Sequence, residues 1–351
     1  MWTLGVEALA QMALGSRLFG GGGGGDTLGA RLVAHQALED CGQVRVLRPD
    51  ELDPDALVAG VVVIGTPTVL VEKLPSTDQL AAVVRAEEAR LGQKIEALIP
   101  VVIGGMELFY PIAAAAALHL PCLDADGMGR TLPVISMTTF TLAGVNVAPL
   151  CSADAKGNVI SLDTADNRLA GAIARLSAMT LGMANACVCY PMSAATACQV
   201  SIPGSLTRCL EFGGLLAQAQ AQGTLEPVLG ACGGRELGDG VVIAVDRKTT
   251  FGFPKGSVTL ELFGGQGTMR VEMQNEFLVA IVDGEVVATV PDLISIFDIN
   301  DLEPLYTDEI QEGQRVRVAV MPCAPQWRQP GMADLVGPAA FGYHVDPVGQ
   351  A

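Results

Sequence analysis

The sequence predicts an α/β chain followed by a β-rich part: an N-terminal, mostly parallel sheet with flanking helices, then a small antiparallel β-barrel or sandwich. Two observations carry this. Up to about residue 235, apolar runs rich in Val and Ile, such as "ALVAGVVVIG" (56–65) and "ALIPVVIGG" (97–105), alternate with segments of helical spacing. Continuous apolar runs of that length suit strands buried on both faces, and strand–helix alternation implies parallel pairing. Beyond that point come "GVVIAVDRKTT", "GSVTLELFG", "TMRVEMQNE", "FLVAIVDG", "EVVATVPDLISIFD" and "QRVRVAVMP". These are short and separated by turn residues roughly every 8 to 12 positions, the spacing of an all-β unit. The reading divides the chain into 1–235, 236–325 and an irregular tail, 326–351, packed back on the body.

The elements follow in order. Residues 4–18 read as a helix, and a second helix spans about Asp26 to Cys41, with Gly42 as its stop. "VRVLRP" is a short strand and 56–65 a buried one. "STDQLAAVVRAEEARLG" (76–92) carries an N-cap signal and helical periodicity. The run 97–105 is a strand, 108–120 a helix, and "PCLDADG" (121–127) a strand with its exit loop. "NVISLD" and "ADNRLAGAIARLSAMTLG" add a strand and a helix, and helical material continues to about residue 223. The runs at 58–64, 98–103 and 121–124 are expected to be parallel neighbours.

Composition narrows the function. Half of the 351 residues are apolar, 17% are charged and the net charge is −17. So acidic a chain repels phosphate backbones, which excludes nucleic acid as the expected partner. No apolar run reaches the ~18 residues of a membrane span, and the first residues lack the basic start of a signal peptide. A cytoplasmic protein without a membrane partner is expected, acting as a homo-oligomer. The nine cysteines form no CxxC pair, and the three histidines are scattered; a His- or Cys-built zinc site is not indicated.

In open parallel sheets ligands bind at the carboxyl ends of strands. Three exits here carry chemistry: Thr66 and Thr68 with Glu72 and Lys73, then Glu107, then Asp124, Asp126 and Arg130. Converging on one rim, the carboxylates and Lys73 would form an acid/base group; each carboxylate alone could equally cap a helix or bind loop amides. Clustered carboxylates also suit a hard divalent cation, so a metal cofactor is left open. Gly20–Gly25 precede Asp26 and a helix. Gly22, Gly23, Gly24 and Gly25, with Asp26, could present bare amides and a helix N-terminus to an anionic or amide-type ligand. The alternatives are a tight helix crossing or a flexible loop. On the ligand reading, Val at Gly23 or Gly24 would abolish activity with little loss of stability. In "VEMQNEFLVA", Asn275 and Glu276 read first as a turn and second as substrate contacts at the interface between the two parts. Cys151, before the polar loop "SADAKG", reads as a less favoured nucleophile.

The stretches "GGGGGGDTLGARL", "GTPTVLVEKLPS", "IGGMELFYPIAAAAALHLPCLDADGMGRTLP", "ISMTTFTLAGV", "DNRLA", "TTFGFPKGSVTLE", "VEMQNEFLVA", "VATVPDLISIFD" and "LVGPAAFGY" carry a resemblance along nearly the whole chain. It resembles the S-methyl thiohydantoin desulfurase-like family of prokaryotes, often encoded beside or fused to hydantoinase/oxoprolinase-type proteins. The resemblance implies an α/β domain followed by a β-barrel-like one, and removal of sulfur from a thiohydantoin ring during breakdown of a sulfur-containing histidine derivative. It brings no catalytic residues with it. The expected activity is hydrolytic, on a cyclic amide or thioamide. A small ring lies against the glycine amides, one of Glu72, Glu107, Asp124 and Asp126 serves as base, and Lys73 stabilises charge. The alternative is a non-catalytic subunit of a hydantoinase-like partner.

Overall fold

The computed structural model describes residues 1–250 and 253–348, without the side chains of residues 67, 68, 249, 250, 253 and 254. Strand β1 (Trp2–Leu4) leads into helices α1 (Leu9–Gly20) and α2 (Thr27–Cys41). Then come β2 (Val44–Leu47), β3 (Leu57–Gly65), α3 (Pro67–Leu70), α4 (Thr77–Leu91), β4 (Ala97–Pro100), α5 (Phe109–Leu118), β5 (Cys122–Leu123) and β6 (Ala125–Asp126). After α6 (Thr139–Leu142) follow β7 (Leu150–Ala153), β8 (Val159–Leu162), α7 (Asn167–Leu181), β9 (Ala184–Ser193), α8 (Ala194–Val200), β10 (Ile202–Pro203), α9 (Ser205–Gln222) and α10 (Glu226–Cys232).

The first sheet has the order β1-β2-β5-β4-β3-β9-β7-β8. β2, β5, β4 and β3 pair in parallel, so the three apolar runs are neighbours as their alternation with helices requires. β1 and the β9, β7 and β8 side pair antiparallel, making the sheet mixed. Every residue of β3 from Val58 to Ile64 is buried, which is why its pattern is continuous rather than alternating. Helices start and stop where the side chains dictate. Asp26, Ser76 and Asp166 cap α2, α4 and α7, and Gly92, Gly182 and Gly223 take left-handed conformations at C-termini.

Several elements depart from the sequence expectation, among them the strand read at 97–105, which ends at Pro100. The first helix begins at Leu9, because Trp2–Leu4 pair along β2. β7 was not foreseen, and neither was β9, the strand beside β3 near the middle of the sheet. Its "ANACVCYPMS" is rich in small residues and lacks the Val/Ile signature, but the whole stretch Ala184–Tyr190 is buried.

The second sheet is antiparallel, with the order β15-β14-β13-β12-β11-β17-β16. Its strands are β11 (Arg235–Thr250), β12 (Phe253–Leu262), β13 (Thr268–Gln274), β14 (Glu276–Val282), β15 (Glu285–Thr289), β16 (Leu293–Asp298) and β17 (Arg315–Met321). It curls until β16 touches β14, closing its own core around Val258, Val271, Phe277 and Ile296. In the tail, α11 (Met332–Val336) follows Trp327, which is fully buried and donates from Nε1 to Met128 O at 2.8 Å. No helix among the described residues is long and apolar enough to cross a membrane.

Candidate functional site

β3 outruns β4, and the site begins there. Their register ends at Val61 opposite Pro100, while β3 continues to Gly65. Beyond Pro100 the chain turns into a short 3-10 helix, Gly105–Leu108. From that turn the Glu107 carboxylate accepts the Val63 N–H at 2.8 Å, standing in for the missing strand. The space beside it is a cavity of about 320 Å³, a size suited to a small ligand. Val62, Ile64, Val102, Met106, Met128, Val134 and Ile135 make it mainly apolar, and Glu107, Thr131, Asn275, Arg168 and Arg175 supply polar groups. A wider groove of about 740 Å³ shares Val134 and Arg168 with it.

Desolvation in this apolar setting pushes the Glu107 carboxyl up to about 8, against the opposing pull of the Val63 hydrogen bond. At neutral pH it therefore carries a proton and can give one away. Arg175 donates to Gly65 O at 2.7 Å, and burial lowers its pKa. Arg168 is exposed and reaches Asp334 O. With a neutral Glu107 and the Arg168 and Arg175 guanidinium groups in its lining, the cavity favours an electron-rich ligand. Among the described residues, the Thr131 hydroxyl, buried there, has no hydrogen-bond partner.

The expected rim of carboxylates is not assembled. Glu107 faces the cavity, but Asp124 and Asp126 point into the protein. Asp124 accepts from Leu206 N at 2.8 Å, Thr207 N at 3.0 Å and the Thr207 hydroxyl, capping the start of α9. Asp126 accepts from Met128 N, Gly129 N and Ser205, and burial raises its pKa to about 6. Both bind loop and helix amides, the role any strand-exit carboxylate can take. Asp124→Ala is accordingly expected to cost about 1 to 2 kcal/mol through the lost cap while leaving turnover per folded molecule unchanged; thermal melts and active-fraction assays check it.

Glu72 is exposed, and Lys73 stands beside Gly182 within reach of the Asp154 charge, because α3 carries the chain outward after Gly65. Neither lines the cavity. Thr66 starts the α3 turn, accepting from Val69 N and Leu70 N, next to the lining residue Gly65. The Thr68 side chain lies outside the described residues. Arg130 is buried between the two sheets, where its guanidinium donates to Asp292 O at 2.6 Å and to Thr131 O; desolvation lowers its pKa to about 10. Cys151 is buried against Ser161, with its thiol pushed up to about 11, chiefly by burial and also by Glu87. That is the opposite of an activated nucleophile. Among the described residues no group of three or more His, Cys, Asp or Glu is placed to hold a metal ion.

The glycine run is chiefly a packing device. Gly21 O accepts Phe277 N, Gly22 O accepts Thr307 N and Gly24 O accepts Met106 N, so the loop is stitched to both parts of the protein. A Cβ on Gly22 would meet the Phe277 ring, and one on Gly23 would meet Glu276 Oε1 at 2.5 Å. Gly24 alone of the run lines the cavity. Asp26 caps α2 at the surface. Asn275 and Glu276 are buried where β13 turns into β14, against these glycines, and Asn275 reaches the cavity.

Sequence reading missed Thr131, Arg168 and Arg175. A signal for the arginines was present: they lie two helical turns apart on α7 with Gly171 and Ala172 between them, so one helix face presents small residues framed by two cations.

A crystal structure of a protein from Chromobacterium violaceum superposes with a TM-score of 0.82, at 24% identity, over 99% of this chain and 100% of that one. That likeness establishes the fold. No curated protein matches. The S-Me-THD-like N-terminal domain model matches residues 7–164 and the S-Me-THD-like C-terminal domain model residues 165–349. The first eight-stranded sheet thus spans both matched segments, since β9 lies in the second. With the two matches covering the whole fold in order, the chain belongs to the S-Me-THD-like family.

Proposed function

We propose that the protein hydrolyses a small cyclic thioamide, desulfurising a thiohydantoin or S-methyl thiohydantoin ring in the cavity beside Glu107. The observation that supports this most is a carboxyl held protonated near neutrality in an apolar cavity sized for one small ring. The family description points to the same ring chemistry. Water adds to the ring carbon that bears sulfur while Glu107 protonates the adjacent ring nitrogen. A C–O bond forms and the C–S bond breaks; one of the two protons of the water leaves with the thiol and the other returns to Glu107. The ring carbonyl of the hydantoin results and the nitrogen keeps the proton that Glu107 gave it, so no oxidant or reductant is needed. Arg168 and Arg175 stabilise negative charge on the ring or its substituent.

The test is thiol release. S-methyl thiohydantoin should yield methanethiol and hydantoin with this protein, and 2-thiohydantoin is the companion substrate for sulfide release. Absence of both products, with and without added divalent metals, overturns the reading. A second reading, a subunit serving a hydantoinase-like partner, draws on the exposed Leu169, Leu176 and Met179 along α7, the helix that lines the cavity. It requires a stable heteromer on co-expression and loss of the partner's activity without this chain.

A further inference from the structure

We infer that Asn275 is the acceptor for a ring N–H in this cavity and that Glu276, which does not line it, is the positioning residue that turns the Asn275 amide the right way round. The inference rests on the ring-binding reading above.

The backbone of Asn275 is held in one conformation. It forms the link between β13 and β14, where Gln274 pairs with Glu276, at φ +65°. Asn tolerates this left-handed conformation better than most residues. Its carbonyl oxygen accepts from the Thr307 hydroxyl at 3.1 Å. The side chain then has two ends. Nδ2 donates to Glu276 Oε1 at 2.6 Å, a buried bond between neighbours in sequence. With Nδ2 donating, this carboxyl oxygen is the acceptor, and its ionised form, favoured by this bond and by Arg130, can only accept; the bond selects the amide nitrogen and leaves Oδ1 for the other side. Among the described residues no donor meets Oδ1, and Asn275 lines the cavity. Oδ1 is therefore an acceptor offered to a ligand.

Glu276 itself is fully buried, and among the described residues its Oε2 has no hydrogen-bond partner. Desolvation pushes its carboxyl up to about 7, while the Asn275 bond and the nearby Arg130 guanidinium pull the other way and favour the charged form. So costly an arrangement needs a return, and fixing the amide is one. Gly23 must lack a side chain because this pair occupies the space a Cβ would take. Thr131 completes the polar set on the other side of Gly24: its unpartnered hydroxyl lies 2.9 Å from where a Gly24 Cβ would be. A cyclic amide presents N–H donors beside carbonyl acceptors, the pattern that Asn275 Oδ1 and the Thr131 hydroxyl complement.

The experiment is calorimetric binding of hydantoin and of 1,3-dimethylhydantoin, which has no N–H, to the wild type, Glu276→Gln and Asn275→Gly. Glycine keeps the left-handed turn without strain, and melting curves confirm that each variant is folded. The wild type is expected to prefer hydantoin at least about tenfold. In both variants that preference should fall to about twofold or less, because an uncharged Gln no longer dictates which end of the amide faces the ring. A Glu276 serving stability alone would lower melting temperature and leave the preference intact, which overturns the inference; so does equal binding of the two rings by the wild type. If the wild type releases thiol from S-methyl thiohydantoin in the separate assay yet shows no preference, this inference fails and the proposed activity stands. Absence of both thiol release and hydantoin binding overturns both.

Discussion

Glu107→Gln is expected to lower kcat/KM for thiol release by about 10² to 10⁴, the usual worth of a positioned general acid, while leaving the fold intact. The amide oxygen can still accept the Val63 N–H, so the sheet gap stays bridged. The pH dependence separates this from a structural effect. The Glu107 carboxyl stands at about 8 in the folded protein against 4.5 ordinarily, because burial disfavours its charged form. The acid is present below about 8, so wild-type activity should decline as pH rises through that value, and the residual activity of the Gln variant should lack this limb. The sign for stability is the same. A carboxyl with a raised folded-state pKa contributes stability fully below about 4.5 and loses it as pH rises through about 8. Glutamine removes that loss, and the variant should melt higher than wild type at pH 9. A variant that keeps full activity across the pH range would show that Glu107 is not the proton donor.

Gly24→Val is expected to destabilise the protein by about 3 to 5 kcal/mol, combining a left-handed backbone with overpacking. Gly24 sits at φ +81°, and a Cβ there would lie 2.8 Å from Gly104 O, 2.9 Å from Gly105 Cα and 2.9 Å from Thr131 Oγ1. Two of these are backbone atoms that cannot swing aside. The sequence expectation, lost activity at little cost in stability, is therefore reversed: the structure puts the first effect on folding. Scanning calorimetry against wild type checks it, and an unchanged melting temperature would return the run to the role of a ligand cradle or spacer.

The glycine run shows why the rest of the site was hard to read. Six glycines announce that something comes close to bare backbone, but not what comes close. Here it is Phe277, Glu276 and Gly104, residues about 80 and 250 positions away. The same holds at the strand exits. A carboxylate after a buried strand satisfies either amides or a ligand, and the choice depends on which donors the fold brings near. Asp124 meets the open N-terminus of α9, whereas Glu107 meets a single N–H at the edge of a cavity and keeps a face toward it.

By itself, the sequence determined the strand–helix alternation, the parallel neighbours, the change to antiparallel β structure near residue 235 and the family, since local periodicity and long ordered motifs do not depend on distant contacts. The tertiary structure alone decided that Glu107 faces a cavity while Glu72, Lys73, Asp124 and Asp126 do not, and that Thr131, Arg168 and Arg175 join it. It also seated Asn275 and Glu276 from the second sheet against the glycine loop of the first. A side chain's protonation, partner and orientation follow from what desolvates it and which donors remain unclaimed nearby, and those are set only when β3 outruns β4 and the two sheets close on each other.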